Sequence, residues 1–148
     1  MPKLTSKEID QFLGEAIIAR LAMVKKDGSP YVVPLWQYWD GRSMYVIARA
    51  KSQFVAYIKN DSRVAVSCAD DDQAAHRRVL IEGSAEIIEG PVLMTGRMLK
   101  IASEMAERYG QESGLEYLNS TINKPRYLVQ ITPGKITSWV GEWHPRYR

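Results

Sequence analysis

The amino-acid sequence predicts an α+β fold in which about six antiparallel strands form a barrel or curled sheet with helices at its periphery. Several short segments alternate apolar and polar residues, as half-buried strands do. The dipeptides Asp27-Gly28 and Asp40-Gly41 separate three of these segments. Asp-Gly is typical of tight hairpin turns, and a tight turn can join only antiparallel strands.

The first elements follow from local patterns. Thr5 and Glu8 have the spacing of a capping box, which predicts a short helix over residues 5–14 that ends at Gly14. The two Asp-Gly turns should then join three strands into a meander. These strands are expected over residues 19–24, 31–39 and 44–48.

The rest of the chain mixes helical and strand patterns. Helical spacing predicts a helix over residues 52–60 and a helical insert over about 91–118, which contains a methionine stripe from Met94 to Met105 and can begin at Pro91. Gly83 is expected to form a bulge, and Pro133-Gly134 a turn between the last two strands. The remaining strands are predicted over residues 64–68, 77–88, 127–131 and 136–140.

Length and composition suit one globular domain over residues 1–148. The chain has 148 residues, of which 45% are hydrophobic and 25% charged, and its net charge is +3. These values exclude a disordered or collagen-like chain and do not demand a nucleic-acid partner. Cys68 is the single cysteine, which excludes an internal disulfide. Because the sequence has no secretory signal and no membrane-spanning apolar run, we expect a cytoplasmic protein without a membrane partner.

The strongest local signal for a binding site is the segment Ala48-Arg49-Ala50-Lys51-Ser52-Gln53, where a strand gives way to a helix. The first turn of a helix offers free N–H groups and a partial positive charge. Ser52 can cap the helix and bind an oxyanion, while Arg49 and Lys51 add full positive charges. The segment is therefore a candidate phosphate cradle, and a solvated basic turn is the alternative.

Pro34 lies inside a strongly β-like run, where it donates no ladder hydrogen bond and marks either a bulge or an edge strand. A bulge would free backbone groups for a ligand, with Val33, Leu35 and Trp36 walling an apolar slot. An edge strand would instead protect the sheet against aggregation.

Other chemistry-bearing residues give weaker signals. The four tryptophans suit a planar ligand, a core or a dimer interface, whereas the histidines and the acidic run lack metal-ligand spacing, so no metal site is expected. No nucleotide-binding or nucleophile motif is present, and the catalytic residues are not identified. The residues concerned are Trp36, Trp39, Trp139, Trp143, His76, His144, Asp70, Asp71 and Asp72.

Taken in order, these segments resemble the pyridoxamine 5′-phosphate oxidase-like flavin-binding split-barrel family. The resemblance covers about residues 5–140, and Ser62 stands where proline is usual. Its motifs are Arg20-Leu21-Ala22-Met23-Val24, Val32-Val33-Pro34-Leu35-Trp36, Trp39-Asp40-Gly41, Lys59-Asn60-Asp61-Ser62-Arg63-Val64-Ala65-Val66 and Val79-Leu80-Ile81-Glu82-Gly83-Ser84-Ala85.

The resemblance implies a six-stranded split barrel that forms a homodimer with two equivalent cofactor sites at the subunit interface. The cofactor it implies is FMN or, in one branch, the 8-hydroxy-5-deazaflavin coenzyme. Many relatives carry a basic residue where this chain has Phe54. The residues that match the phosphate-binding turn are Arg49, Lys51, Ser52 and Gln53, beside Ala48, and those that match the ring-contacting strand are Val33, Pro34, Leu35 and Trp36.

On this resemblance, we expect a flavin-dependent oxidoreductase that transfers a hydride between FMN and a small-molecule substrate. A deazaflavin-dependent reductase is one alternative, and Arg77 and Arg78 are candidates for the basic groove that its anionic coenzyme tail would need. A flavin carrier or sensor without turnover is another. A single-strand nucleic-acid-binding barrel is disfavoured by the low net charge.

Overall fold

The computed structural model describes residues 2–70 and 76–141 and contains seven strands and three helices. Trp143, His144, Asp71 and Asp72 lie outside the described residues. In chain order the elements are α1 (Ser6–Leu13), β1 (Ala19–Val24), β2 (Pro30–Leu35), β3 (Tyr38–Trp39), β4 (Met44–Arg49), α2 (Phe54–Asn60), β5 (Arg63–Ala69), β6 (Arg78–Val92), α3 (Gly96–Ser120) and β7 (Arg126–Trp139).

The strands form one sheet in the order β2-β1-β5-β6-β7-β4-β3, and every neighbouring pair is antiparallel. The sheet is not closed, because β2 and β3 are its two edges. The α+β class and the antiparallel, split-barrel architecture predicted from the sequence are confirmed. No helix of the described ranges is long and apolar enough to cross a membrane.

The N-terminal helix forms as its capping box predicts. The Thr5 side chain accepts a hydrogen bond from the Glu8 amide, and the Glu8 carboxylate accepts one from the Thr5 amide at 2.7 Å. The helix places Phe12 and Leu13 under the sheet, where both are fully buried. The helix therefore contributes two side chains to the buried cluster that it shares with the sheet.

The prediction of a continuous three-stranded meander is wrong. β1 pairs with β2 and β3 pairs with β4, but the expected strand over residues 31–39 breaks at Trp36 and Gln37. The Gln37 side chain is fully buried, and its amide donates a hydrogen bond to the Leu13 carbonyl oxygen at 2.8 Å. Because this buried hydrogen bond fixes Gln37, β2 ends before it. The two halves of the predicted strand therefore become opposite edges of the sheet.

The predicted turn at Pro133-Gly134 is also wrong, because β7 continues through both residues. Pro133 lies opposite Gly83, where the pairing of β6 with β7 shifts register as the bulge prediction requires. A Cβ atom at position 83 would collide with the Thr132 carbonyl oxygen. The absence of a side chain at Gly83 therefore lets the two long strands approach closely and stay paired on both sides of the register shift.

Both later helices begin after their predicted start. α2 begins at Phe54, and the residue that precedes it is Gln53 rather than Ser52. Pro91 belongs to β6, which still pairs with β7 at Val92, so α3 begins only at Gly96. α3 bends at Gln111, whose backbone is not helical.

The buried side chains form two clusters. The first, which we call the barrel core, lies among α1, α2 and the sheet. The second, which we call the α3 core, lies between α3 and the strands β4 and β7. The barrel core includes Phe12, Leu21, Val46, Val66, Cys68 and Ile81. The α3 core consists of Tyr45, Met94, Met98, Ile101, Ala102, Met105, Ala106, Leu118 and Leu128.

Candidate functional site

A cavity of about 660 Å³ lies where α3 faces the ends of β2, β4 and β7. This volume is typical of sites for small molecules and cofactors. The walls are largely apolar, which suits a flat hydrophobic ring more than a highly charged ligand. Its apolar lining includes Ile18, Leu35, Ile47, Met94, Met105 and Leu118.

Two arginines line one part of this cavity. Arg49 is the last residue of β4, Arg126 is the first residue of β7, and the two are directly opposite each other in the strand pairing. Arg126 is only 6% exposed, and the hydrogen bond of its guanidinium goes to the Pro125 carbonyl oxygen at 3.3 Å. Within the described ranges, neither arginine forms an ion pair with a carboxylate.

This pairing has an energetic consequence. Like charges opposite each other on neighbouring strands destabilise a sheet, and a buried cation without a counter-ion is costly. An anion between Arg49 and Arg126 would offset both costs. A phosphate fits this requirement, because its oxygens can accept hydrogen bonds from two guanidinium groups.

Tyr117 completes the polar side of the cavity. The Arg49 guanidinium donates a hydrogen bond to the Tyr117 hydroxyl oxygen at 2.7 Å. Since that oxygen acts as the acceptor, the hydroxyl proton remains available to a ligand. Tyr117 lies beyond the bend in α3, and a Cβ atom at Gly114 would collide with the Ala106 backbone. The close contact at Gly114 brings the second part of α3 back over the cavity.

Trp36 forms an aromatic wall of the same cavity. Its indole ring stacks on the Tyr109 ring, with 5.2 Å between ring centres and 7° between ring planes. The side chain of Trp36 remains 36% exposed. Trp39 and Trp139 do not line the cavity: the first donates a hydrogen bond to the Asp10 carboxylate at 2.7 Å, and the second ends β7.

The ring-contacting strand predicted from the sequence reaches the cavity with Pro34, Leu35 and Trp36. Pro34 lies on the edge strand β2, where it pairs in regular register with Arg20 of β1. The edge interpretation is therefore right, and there is no bulge at this position. Val33 instead packs against the barrel core.

From the predicted phosphate-binding segment, Arg49 alone lines the cavity. Ala48 is 1% exposed and belongs to the barrel core, whereas Lys51 and Gln53 are exposed. The Ser52 amide donates to the Arg49 carbonyl oxygen at 2.9 Å. Gln53 is the N-cap of α2 and makes no capping bond through its side chain, so the prediction that Ser52 caps this helix is wrong.

Sequence reasoning missed Arg126, Tyr117 and Tyr109. Arg126 stands immediately before a predicted strand, but its position opposite Arg49 depends on the strand register. The methionine stripe of the predicted helical insert packs in the α3 core, although Met94 precedes α3 itself. Met94 and Met105 are indeed buried, and they also line the cavity.

Several other candidates lie away from the cavity. Arg77 forms salt bridges with Glu15 at 2.8 Å and Asp70 at 2.9 Å, and Arg78 donates to the Asp70 carbonyl oxygen at 2.9 Å. Burial raises the pKa of the Cys68 thiol to about 12, so it stays protonated at neutral pH. In residues 2–70 and 76–141 no cluster of three or more His, Cys, Asp or Glu could hold a metal ion.

Comparisons with known proteins agree with this architecture. The family model described as pyridoxamine 5′-phosphate oxidase matches residues 5–140. A conserved hypothetical protein from Mycobacterium tuberculosis is 27% identical, with a TM-score of 0.75 over 92% of this chain and 84% of the other. No significant match was found among the curated proteins.

Two further solved structures share the fold at lower identity. One is an F420 reductase, 22% identical with a TM-score of 0.66, over 86% of this chain and 94% of the other. The other is an FAD-binding protein from Mesorhizobium loti, 20% identical with a TM-score of 0.65, over 95% of this chain and 97% of the other.

Proposed function

The chain belongs to the pyridoxamine 5′-phosphate oxidase family, and from this premise we propose that it is a flavin-dependent oxidoreductase with FMN as its cofactor. The observation that carries the proposal is the pair Arg49 and Arg126, which have no carboxylate partner among the described residues and line a largely apolar cavity of about 660 Å³. FMN combines the two features that this cavity selects, a flat hydrophobic ring and a phosphate.

In the proposal, each part of the cavity has its own task. Arg49 and Arg126 bind the phosphate, with the exposed Lys51 and the half-buried Ser52 beyond Arg49 as further candidates. The apolar walls and Trp36 exclude water from the ring. The bound flavin would supply the chemistry, which is hydride transfer to or from a small molecule.

The 8-hydroxy-5-deazaflavin coenzyme is the second candidate, and the similarity to an F420 reductase supports it. Its long anionic tail needs cations beyond the phosphate site. Arg77 and Arg78, which were candidates for that groove, bond to Glu15 and Asp70 instead. In the described part of the chain the cavity lining contains two cations, which suits a single phosphate and favours FMN.

A homodimer with the cofactor at its interface is part of the proposal. Apolar side chains remain exposed on the edge strand and near the cavity: Val32 is 61% and Trp36 is 36% exposed. A second copy that covers this edge would bury both side chains and also close the cavity. Sedimentation velocity should give the mass of a dimer, and a monomer at micromolar concentration would contradict this part of the proposal.

The test of the proposed function compares FMN with riboflavin, which has the same ring and no phosphate. We expect the wild-type protein to bind FMN at least about tenfold more tightly than riboflavin, because charge-assisted hydrogen bonds to the phosphate are strong. Arg126→Met should weaken FMN binding by about tenfold or more and leave riboflavin binding unchanged. Titrations followed by flavin fluorescence would measure all four dissociation constants.

The matched control is Arg63→Met, which also removes one arginine. Arg63 is exposed, pairs with Asp61 and lies outside the cavity lining, so FMN binding should not change. Equal loss of FMN affinity in both variants would show that the loss comes from the change in net charge and not from a contact between Arg126 and the phosphate. A wild-type protein that binds neither FMN nor the deazaflavin coenzyme would overturn the proposal.

Rapid mixing separates an enzyme from a carrier or sensor. A reduced nicotinamide should bleach the absorbance of the bound flavin, and an added electron acceptor should restore it. A flavin-loaded protein that neither bleaches nor recovers would support the carrier or sensor instead.

A further inference from the structure

We propose that Tyr109 is a positioning residue that fixes the indole of Trp36 as the wall on which the cofactor ring stacks. This inference rests on the proposed function. Tyr109 itself does not line the cavity, so its effect on a ligand must pass through Trp36.

The first observation is the geometry of the stack. The rings of Trp36 and Tyr109 are nearly parallel, at 7°, with 5.2 Å between their centres. Tyr109 therefore stacks with a lateral offset on one face of the indole, and Trp36 remains 36% exposed. Because Trp36 lines the cavity, a planar ligand that stacks on the free face would extend an existing aromatic stack.

The second observation is the anchoring of the Tyr109 hydroxyl. It donates a hydrogen bond to the Ile17 carbonyl oxygen at 2.6 Å and accepts one from the Gln37 amide at 3.3 Å. Burial raises the pKa of this hydroxyl, which keeps it protonated as a donor. One side chain of α3 thus fixes two loop segments, one on each side of the β1–β2 hairpin.

The third observation concerns the position of these contacts along the chain. Gln37 directly follows Trp36, so the bond to its amide limits rotation of the backbone that carries the indole. The Tyr109 ring of α3 stacks on the indole itself. The indole is therefore held from the backbone side and from α3.

A rigid wall should matter for affinity. A free tryptophan at an edge strand samples several rotamers and loses that freedom when a ligand stacks on it. When Tyr109 has already restricted the ring, ligand binding no longer bears this cost. Tyr109 should accordingly affect affinity for the flavin ring and have no specific effect on the phosphate.

The experiment measures binding of FMN and riboflavin to Tyr109→Leu, which removes the stacked ring, and to Tyr109→Phe, which removes only the hydroxyl. We expect Tyr109→Leu to weaken both ligands by the same factor, about tenfold. Tyr109→Phe should weaken both by about threefold. This pattern differs from that of Arg126→Met, which should affect FMN alone.

Two spectroscopic readouts accompany the titrations. Near-ultraviolet circular dichroism of the ligand-free protein should lose the same band in Tyr109→Leu and Trp36→Leu, because both break the stack. The visible circular dichroism of bound FMN should fall in Tyr109→Leu. In a Trp36→Leu background, Tyr109→Leu should produce no further loss of affinity, since the effect passes through Trp36.

The matched control is Tyr57→Leu. Tyr57 also forms an aromatic pair, with Tyr31 at 5.3 Å, and it does not line the cavity. Tyr57→Leu should lower the melting temperature but leave both dissociation constants unchanged. If Tyr109→Leu does not fold, Tyr109→Phe still tests the inference.

The outcomes separate the two proposals. Wild-type dissociation constants and an unchanged flavin spectrum in both Tyr109 variants would overturn this inference and leave the proposed function intact. A tenfold loss for FMN alone would place Tyr109 at the phosphate and would also overturn the inference. Failure of the wild-type protein to bind either FMN or the deazaflavin coenzyme would overturn the proposed function itself.

Discussion

The barrel core and the α3 core differ in the kind of side chain that fills them. The barrel core is built mainly from leucine, isoleucine, valine and phenylalanine, and many of its members are completely inaccessible to solvent. The α3 core consists largely of methionine and alanine beside a few larger residues, and part of it borders the cavity.

This difference in side-chain composition shows how one small domain can use separate cores for stability and for binding. Branched and aromatic side chains have few rotamers and fill a closed interior at high density. Methionine adapts to irregular space and alanine leaves room, so a core made from them can border a cavity. We therefore expect the barrel core to determine folding and the α3 core to determine what the cavity accepts.

The largest effect is expected from a substitution in the barrel core. Ile81 is fully buried between β5 and β7, and Ile81→Ala should lower the free energy of unfolding by about 2–5 kcal/mol. Urea denaturation measures the loss, and FMN titration at low temperature should give an unchanged dissociation constant for the folded fraction.

Met105→Ala is the matched variant in the α3 core. Met105 is 4% exposed but borders the cavity, so water can fill the space that the shortened side chain leaves. We expect a smaller loss of stability than in Ile81→Ala, at the lower end of the same range and about 2 kcal/mol, together with a severalfold change in FMN affinity. Equal stability losses with no change in affinity would show that the two cores do not differ in this way.

A smaller effect concerns the pH dependence of stability, which a titratable group in the barrel core should produce. Burial in the barrel core raises the pKa of Cys68 from 9.0 to about 12, so the folded state keeps a proton that the unfolded state loses. The stability linked to this proton is fully present below pH 9 and is lost as the pH rises toward 12. Between pH 8 and pH 10, the wild type should lose about 1 kcal/mol more stability than Cys68→Ala.

A cysteine in the other core provides the control for this prediction. Ala102 lines the cavity, so Ala102→Cys in the Cys68→Ala background should react with a thiol reagent at pH 8, and FMN should slow the reaction. Wild-type Cys68 should not react under the same conditions. Rapid labelling of Cys68 in the folded protein would show that the barrel core is not closed.

Prediction from the sequence succeeded where a local interaction decides the structure. The Thr5–Glu8 capping box lies within one helical turn, and the bulge at Gly83 follows from the absence of a side chain. The break at Gln37 was not predicted, because it depends on the Leu13 carbonyl from another element. Pro133-Gly134 has the composition of a turn, but β7 continues through both residues and stays paired with β6 across a register shift at Gly83.

The residues of the candidate site also fall into those that local sequence patterns predict and those that they do not. Arg49 and the run from Pro34 to Trp36 were predicted because basic residues at a strand end and a proline within a strand are visible in the sequence. The resemblance to a family supplied the cofactor class, while Arg126 and Tyr109 were missed because nothing near them in the chain marks them.

The sequence by itself determined the α+β class, most helix and strand positions and the family, because alternation, capping and turn chemistry act over a few residues. Tertiary structure alone decided that β2 and β3 become opposite edges, that Arg49 faces Arg126 and that Tyr109 stacks on Trp36. Each of these contacts joins residues far apart in the chain. Their meeting depends on strand register and helix packing, which only the whole fold sets.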